Sequence, residues 1–201
     1  MSLKKSKYSK GKITLYHGTS TKFLDEILSK GLMPRYDRDT NWSENPSNPL
    51  MVYLSDAYPV YFAQQSAEEN YEPVVLEVRV DTKRLYPDED YLEQFTRFDP
   101  EWKSTVDSTS MEYRTEWFKE NLMDYKDYYL DSLNGLGNCC HKGVIKPKNI
   151  IRYSILESDH ILHYSDPTIT LQNYMYVGER YRVLSAETMW EKPLSKEIVC
   201  L

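Results

Sequence analysis

The chain of 201 residues has few cysteines, few glycines, no long hydrophobic run and fewer basic than acidic residues. Its three cysteines are too few for a disulfide framework, which favours a reducing compartment. No stretch approaches the ~18 consecutive apolar residues that span a bilayer. The lysine-dotted start, residues 1–12, also lacks the apolar segment of a signal peptide. The sequence therefore predicts a cytoplasmic protein without a membrane partner.

The net charge and the spacing of the glycines argue against further functional classes of protein. Lysine plus arginine number 25 and aspartate plus glutamate 31, a net charge of -6, which disfavours delocalised binding to a nucleic-acid backbone. The seven glycines form one Gly-x-Gly, at Gly135 and Gly137, with no third glycine and no Walker pattern. A Rossmann dehydrogenase and a P-loop enzyme are thus disfavoured.

The local patterns predict a basic arm over residues 1–12 and one domain over 13–201. Its fold class is predicted as α+β. Hydrophobic periodicity and turn residues place strands, helices and a long irregular loop in alternation. The predicted elements of the first part are a strand at Ile13–His17 stopped by Gly18, a helix capped by Ser20 or Thr21 and closed by Gly31, a loop over 35–50, a strand at 51–54, a helix with Pro59 in its first turn, and a half-buried strand over 73–80.

The second part of the chain is predicted to begin with a helical insertion. Acidic and aromatic residues mix at helical spacing around 88–133, where Trp117, Leu122, Tyr125 and Tyr129 are expected on one helix face. The remaining predicted elements are strands at 144–145 and 150–156 flanking a Lys-Pro-Lys-Asn turn, and short β-like segments at 161–164, 169–177 and 181–184.

A cysteine- and histidine-bearing segment raises the question of zinc. Cys139, Cys140 and His141 are followed by His160 and His163, but their spacing matches no standard finger. Neighbouring residues of a strand also point to opposite faces. The same geometry argues against a nucleophilic pair of Cys140 and His141, so no metal site is predicted.

His17 is the histidine best placed for chemistry. It ends a predicted strand directly before Gly18, where a glycine lets a ligand approach the main chain closely. Tyr53 lies in a second short strand, ahead of Tyr58 and Tyr61. Spacing alone leaves two interpretations open: a ligand site, or a core histidine among structural aromatics.

Four motifs in order narrow this choice. They are Leu15–Ser20, Ile27–Leu32, Val52–Ser55 followed by Ala57, Tyr61 and Ala63, and the strand Val74–Val80, with a further match near 142–155. Together they resemble the ADP-ribosyltransferase superfamily in its His-Tyr-Glu branch, that of the poly-ADP-ribose polymerases, to which the tRNA 2'-phosphotransferases are similar. The resemblance implies split antiparallel sheets around an NAD cleft with flanking helices. It also implies an NAD-dependent mono-ADP-ribosyltransferase, a glycosyltransferase that modifies a protein or a nucleic acid and releases nicotinamide.

The resemblance also implies roles for individual residues. His17 is expected to bind ribose hydroxyls of NAD, and the main chain of Gly18 to bind the nicotinamide carboxamide. Tyr53 is expected to line the nicotinamide pocket and Tyr61, or less directly Tyr58, to stack on the other face of the ring. The further contacts implied are Thr19, Ser20 and Ser55 at the pocket and Arg35 at the pyrophosphate.

The third motif departs from the family. The stretch Asn138–Ile145 offers His141, expected in a catalytic role, where the family has a glutamate. A neutral imidazole cannot contribute the negative charge that stabilises an oxocarbenium-like transition state. Either another carboxylate takes part, with Glu112, Glu116 and Glu157 as candidates, or the chemistry differs.

Three alternative functions therefore stay open. One is an RNA 2'-phosphotransferase that uses NAD. Another is an inactive module that binds ADP-ribose or a nucleotide. The third is an interaction protein whose binding face is the acidic aromatic segment Met111–Leu133. The sequence leaves the acceptor and the oligomeric state open.

Overall fold

The computed structural model describes residues 11–36, 47–96, 110–156 and 195–201. The strands in these ranges are β1 (Lys12–Ser20), β2 (Met51–Ser55), β3 (Pro73–Asp81), β4 (Leu85–Pro87), β5 (Asn138–Lys142), β6 (Ile150–Leu156) and β7 (Ser195–Cys200). The α-helices are α1 (Thr21–Lys30), α2 (Pro59–Ser66), α3 (Glu89–Thr96), α4 (Met111–Asn121) and α5 (Tyr129–Gly135). Short 3-10 segments cover Thr82–Arg84, Leu122–Tyr128 and Pro147–Asn149.

The strands form one antiparallel sheet in the order β4-β5-β2-β1-β3-β6-β7. Its two halves are joined weakly. β1 pairs with β3 over nine residue pairs, from Lys12–Asp81 to Ser20–Pro73, but with β2 at the single pair Tyr16–Ser55. The predicted α+β class with antiparallel strands and flanking helices is confirmed.

Both faces of the sheet are covered. On one face, inward residues of β1, β2, β3 and β5 form the main core with Leu24 and Ile27 of α1 and Leu133 of α5. On the other face, α2 packs on β1 and β3, while Leu92 of α3 and Phe118 of α4 pack with Met51 and Cys140. β3 is therefore buried along most of its length rather than half-buried as predicted.

The first elements match the sequence-based predictions with one exception. α1 is flanked by Ser20 and Gly31, and Pro59 is the first residue of α2, as predicted. The predicted stop of the first strand at Gly18 is wrong, because β1 continues to Ser20 along the ladder with β3.

The later elements match less well. β6 is confirmed at 150–156, but Val144–Ile145 is no strand, since Ile145 makes only an isolated bridge with Leu32. Among the described residues, α3 and α4 lie within 88–133 and α5 begins there at Tyr129. The 3-10 segment Leu122–Tyr128 interrupts the predicted single face, so Tyr129 packs on the main core while Tyr125 packs near α4. β4, β5 and β7 were not predicted. The predictions for residues 1–10, for 37–46 of the loop and for the segments between 161 and 184 lie outside the described residues.

Within the described ranges, no helix has both the length and the apolar character needed to cross a membrane.

Candidate functional site

The site lies where β1 and β2 stop pairing. If the ladder continued for two residues beyond the Tyr16–Ser55 pair, Gly18 would lie opposite Tyr53, but these two residues do not pair. Instead, the His17 Nδ1 atom lies 2.8 Å from the carbonyl oxygen of Tyr53. The imidazole of His17 thus takes the place of a main-chain donor in the seam between the two strands.

This contact sets the protonation of His17. A carbonyl oxygen only accepts, so Nδ1 carries the proton and donates it, which leaves Nε2 as an acceptor in the neutral ring. Burial lowers the pKa of His17, an effect that the bond to Tyr53 partly opposes. At neutral pH the half-buried imidazole is therefore uncharged and presents Nε2 away from the seam.

Gly18 is required by the packing of α2. A Cβ at this position would lie 2.5 Å from the carbonyl oxygen of Pro59 and 2.6 Å from the carbonyl carbon of Phe62, both main-chain atoms of α2. The absence of a side chain thus lets a helix backbone lie directly on β1. This reason for the glycine is independent of the predicted carboxamide contact.

Thr19 and Ser20 complete the strand. Both are buried, and Ser20 precedes α1 without a side-chain capping bond. Among the described residues, no group hydrogen-bonds the buried Oγ of Ser20. An unsatisfied buried hydroxyl costs about 1 to 3 kcal/mol, so the end of β1 holds a destabilising polar atom, which is closed to a ligand because Ser20 is 0% exposed.

The hydroxyl of Tyr53 is held by two groups that were not predicted. It donates a short hydrogen bond to Oε1 of Glu89 and accepts one of 2.8 Å from the main-chain N–H of Asn48. Asn48 is itself fixed, because its side-chain amide donates to the carbonyl oxygen of Lys119 at 3.0 Å. The half-buried ring of Tyr53 packs with the cluster on the α3 and α4 side. The structure therefore brings His17 to the main chain of Tyr53, and Glu89 to its phenol.

Glu89 is a buried carboxyl group with unusual titration. It is only 3% exposed, at the start of α3, and its Oε2 atom has no hydrogen-bond partner within the described part of the chain. Burial raises the pKa of Glu89 to about 7, and Asp90 adds to this, while the bond from Tyr53 and the charge of Lys119 lower the pKa. Burial, followed by the charge of Glu89, raises the pKa of Tyr53 well above its ordinary value. Glu89 therefore changes charge near neutral pH next to a phenol that stays protonated.

Ser55 serves the turn between β2 and α2. Its hydroxyl donates to the carbonyl oxygen of Gly137 at 2.8 Å and accepts from the main-chain N–H groups of Ala57 and Tyr58 at 3.1 and 2.8 Å. These contacts orient the first turn of α2, where half-buried Tyr61 lies edge-to-face against Phe62 with ring centroids 5.5 Å apart.

Arg35 lies beyond α1 and points its guanidinium at the chain before β2. Its Nε and Nη2 atoms donate to the carbonyl oxygen of Ser47 at 3.2 and 2.9 Å. Arg35 thus fixes the segment that carries Asn48, which makes its link to the site indirect in this structure.

His141 is not brought to Tyr53. It lies opposite Val52 and Leu85 in the register, whereas Cys140 lies opposite Tyr53 and Tyr86, so the two neighbours leave the sheet on opposite faces. The His141 Nδ1 atom contacts the carbonyl oxygen of Gly143 at 3.0 Å, and burial lowers the pKa of the ring.

The three cysteines differ in exposure. Cys139 and Cys140 are buried on opposite faces of the sheet, as predicted for neighbours in a strand, while Cys200 is exposed on β7. Burial raises the pKa values of the Cys139 and Cys140 thiols well above the ordinary value of a cysteine.

The predicted replacement carboxylates are placed differently from Glu89. Glu112 is exposed and its Oε2 accepts a hydrogen bond of 2.6 Å from Ser110 at the start of α4. Glu116 is exposed and forms an ion pair of 3.3 Å with Lys119. Glu157 lies outside the described residues. The carboxylate that reaches Tyr53 is therefore none of these three but Glu89.

The comparisons with known proteins give structural similarity only. No family model and no curated protein matches the chain. Among solved structures it is similar to EcPltA, with 12% identity and a TM-score of 0.41 over 74% of this chain and 78% of that chain. It is also similar to the nicked CARDS toxin, with 14% identity and a TM-score of 0.40 over 72% of this chain. The match spans 25% of the CARDS toxin chain.

Proposed function

We propose that the chain is an NAD-dependent ADP-ribosyltransferase that modifies a protein or a nucleic acid. The observation that carries this proposal is the break in the β1–β2 ladder at His17. At this break, the motif that resembles the superfamily lies on strand edges that do not pair with each other.

The main chain at Gly18 fits a carboxamide. Its edge toward β2 lacks a registered partner among the described residues, and a primary carboxamide offers one acceptor and one donor side, as a neighbouring strand would. Nε2 of His17 is an acceptor for a ribose hydroxyl on the sheet face that carries Leu15, and the half-buried ring of Tyr53 offers an apolar face for an aromatic ring on the opposite side, toward α3 and α4.

In the proposed reaction, the acceptor displaces nicotinamide from the ribose carbon of bound NAD. The bond from that carbon to nicotinamide breaks with its electron pair leaving on nicotinamide, and a bond forms to a nucleophilic atom of the acceptor, which loses its proton to water. The residues of this chain immobilise the two parts of the ligand, so that most of their contribution is positioning.

A second candidate is a nucleotide-binding module without transferase activity. It is favoured by the third motif, where His141 lies on the sheet face opposite to the ring of Tyr53 and no carboxylate occupies the strand. This candidate predicts thermal stabilisation by NAD or ADP-ribose without release of nicotinamide.

The test is incubation of the protein with adenylate-labelled NAD and a cell lysate. We expect free nicotinamide together with label on macromolecules, and treatment with protease or nuclease identifies the acceptor class. Loss of 2'-phosphate from an RNA substrate in the presence of NAD would favour the phosphotransferase alternative. Stabilisation without nicotinamide release would support the binding module and contradict the transferase.

A further inference from the structure

The hydroxyl of Tyr53 has no proton left to donate to a ligand. It donates its one proton to Glu89 and accepts from the N–H of Asn48. The ring of Tyr53 is consequently the part available to a ligand, and its orientation depends on the carboxyl group of Glu89. Because Glu89 is buried, water does not compete for this bond.

We propose that Glu89 is a positioning residue for Tyr53, and that its carboxylate, placed behind the phenol, makes the ring select a positively charged pyridinium over an uncharged ring. The inference rests on the proposed function, because the pyridinium is the nicotinamide end of NAD. A negative charge on the hydroxyl side raises the electron density of the ring, and electron-rich rings attract cations.

Several charged or titratable groups face Glu89. Asp88 and Asp90 adjoin it in sequence, Lys119 faces it from α4, Cys140 from β5 and Tyr53 from β2. Asp90 opposes ionisation of Glu89, and Lys119 together with the Tyr53 hydroxyl favours it, while the charge of Glu89 in turn raises the pKa of Asp88. The pKa of Glu89 thus depends on opposing charges, and loss of the hydrogen bond from Tyr53 is expected to shift this pKa.

The contact between Glu89 and Tyr53 is tested without any ligand. Carbon-13 NMR of glutamate-labelled full-length protein, with Glu89→Gln for assignment, follows the Glu89 carboxyl group through a pH titration. We expect a midpoint near neutral pH that moves upward in Tyr53→Phe, because the hydrogen bond that favours the charged form is lost. A midpoint that Tyr53→Phe leaves unchanged overturns the positioning role.

The selection for charge is tested by binding. Calorimetry measures the Kd of NAD, whose nicotinamide ring is cationic, and of NADH, whose ring is neutral, at about pH 6 and about pH 8. We expect the preference for NAD over NADH to increase roughly three- to tenfold with pH in the natural protein, within the range of cation–π energies. Glu89→Gln should remove this increase, and the exposed Glu120→Gln on α4 should retain it.

The outcomes separate the two proposals. An equal pH dependence in Glu89→Gln overturns the role of Glu89 even if NAD binds. If the natural protein binds neither nucleotide, the proposed function fails, while the NMR titration still decides whether Glu89 and Tyr53 are coupled. Should Glu89→Gln not fold, Tyr53→Phe takes its place in the binding experiment, and the rise in preference for NAD should then move to higher pH together with the Glu89 midpoint.

Discussion

The two edges of β1 serve different purposes. Toward β3 the strand forms nine consecutive residue pairs, and toward β2 it forms one. The first edge is buried among aliphatic side chains, whereas the second is followed by an imidazole, a buried serine hydroxyl and, across β2, a phenol bonded to a carboxyl group. One strand thus supports the fold through one edge and forms a candidate site at the other.

The largest effect is expected at Gly18, which pairs with β3 on one edge of β1 and faces the unpaired end of β2 on the other. Gly18→Ala should destabilise the protein by more than about 3 kcal/mol, because the new methyl group meets main-chain atoms of α2 that cannot rotate away. Urea unfolding measures the loss. Gly135→Ala is the matched control, since its methyl group meets the side-chain ring of Tyr91 rather than main-chain atoms, and an equal loss in both variants would contradict the role of α2.

A substitution at His17 tests whether the edge of β1 toward β2 can be altered without unfolding the edge toward β3. His17→Ala should lower NAD-dependent nicotinamide release roughly 100-fold, in line with the loss of a positioned polar group, while the Tm shifts by only a few degrees. Release assays and thermal unfolding measure the two effects. A large fall in Tm with unchanged NAD binding would identify His17 as a core histidine.

Glu89 should make stability depend on pH. Its pKa rises from an ordinary 4.5 to about 7 on folding, so the folded state binds the proton more tightly and the stabilisation present at low pH is lost as the pH rises through 7. Between about pH 5 and pH 8 the wild-type protein should lose about 2 kcal/mol relative to Glu89→Gln. Urea unfolding across this range measures the difference, and parallel curves for the two proteins would refute the shifted pKa.

The smallest effect is expected at the β3 edge. Glu77 accepts a hydrogen bond of 2.6 Å from Nε of Arg152, across the ladder between β3 and β6. Glu77→Gln should cost about 1 kcal/mol or less, because this pair is partly exposed, and should leave the Kd for NAD unchanged. A change in NAD affinity would show that the two edges of β1 are coupled.

The sequence predicted the elements whose signals are local. Alternating apolar residues identify β3, and Ser20 and Gly31 bound α1, because caps and periodicity act over a few residues. It missed β4 and β5, which span only three and five residues and depend on pairing with distant segments. A glycine in isolation disfavours a strand and therefore predicts a stop at Gly18, whereas here the ladder with β3 overrides that preference.

The candidate site was predicted at the level of its strands and missed at Glu89. Three consecutive acidic residues before a helix are typical of an exposed helix start, and nothing in their spacing indicates contact with a tyrosine 36 positions earlier. The available signal was the apolar pair Leu85–Tyr86, which only Pro87 separates from them and which draws the acidic segment against the sheet. Burial of a carboxyl group is a tertiary effect, and it follows from the pairing of β4 with β5.

The unequal exposure of the three cysteines offers a means of observing the molecule. Thiolate is scarce at the two internal positions, so a maleimide dye at neutral pH should couple to Cys200 alone. That residue lies in β7, three strands along the sheet from β1. A fluorophore there would report tumbling or association with a macromolecular acceptor without occupying the seam.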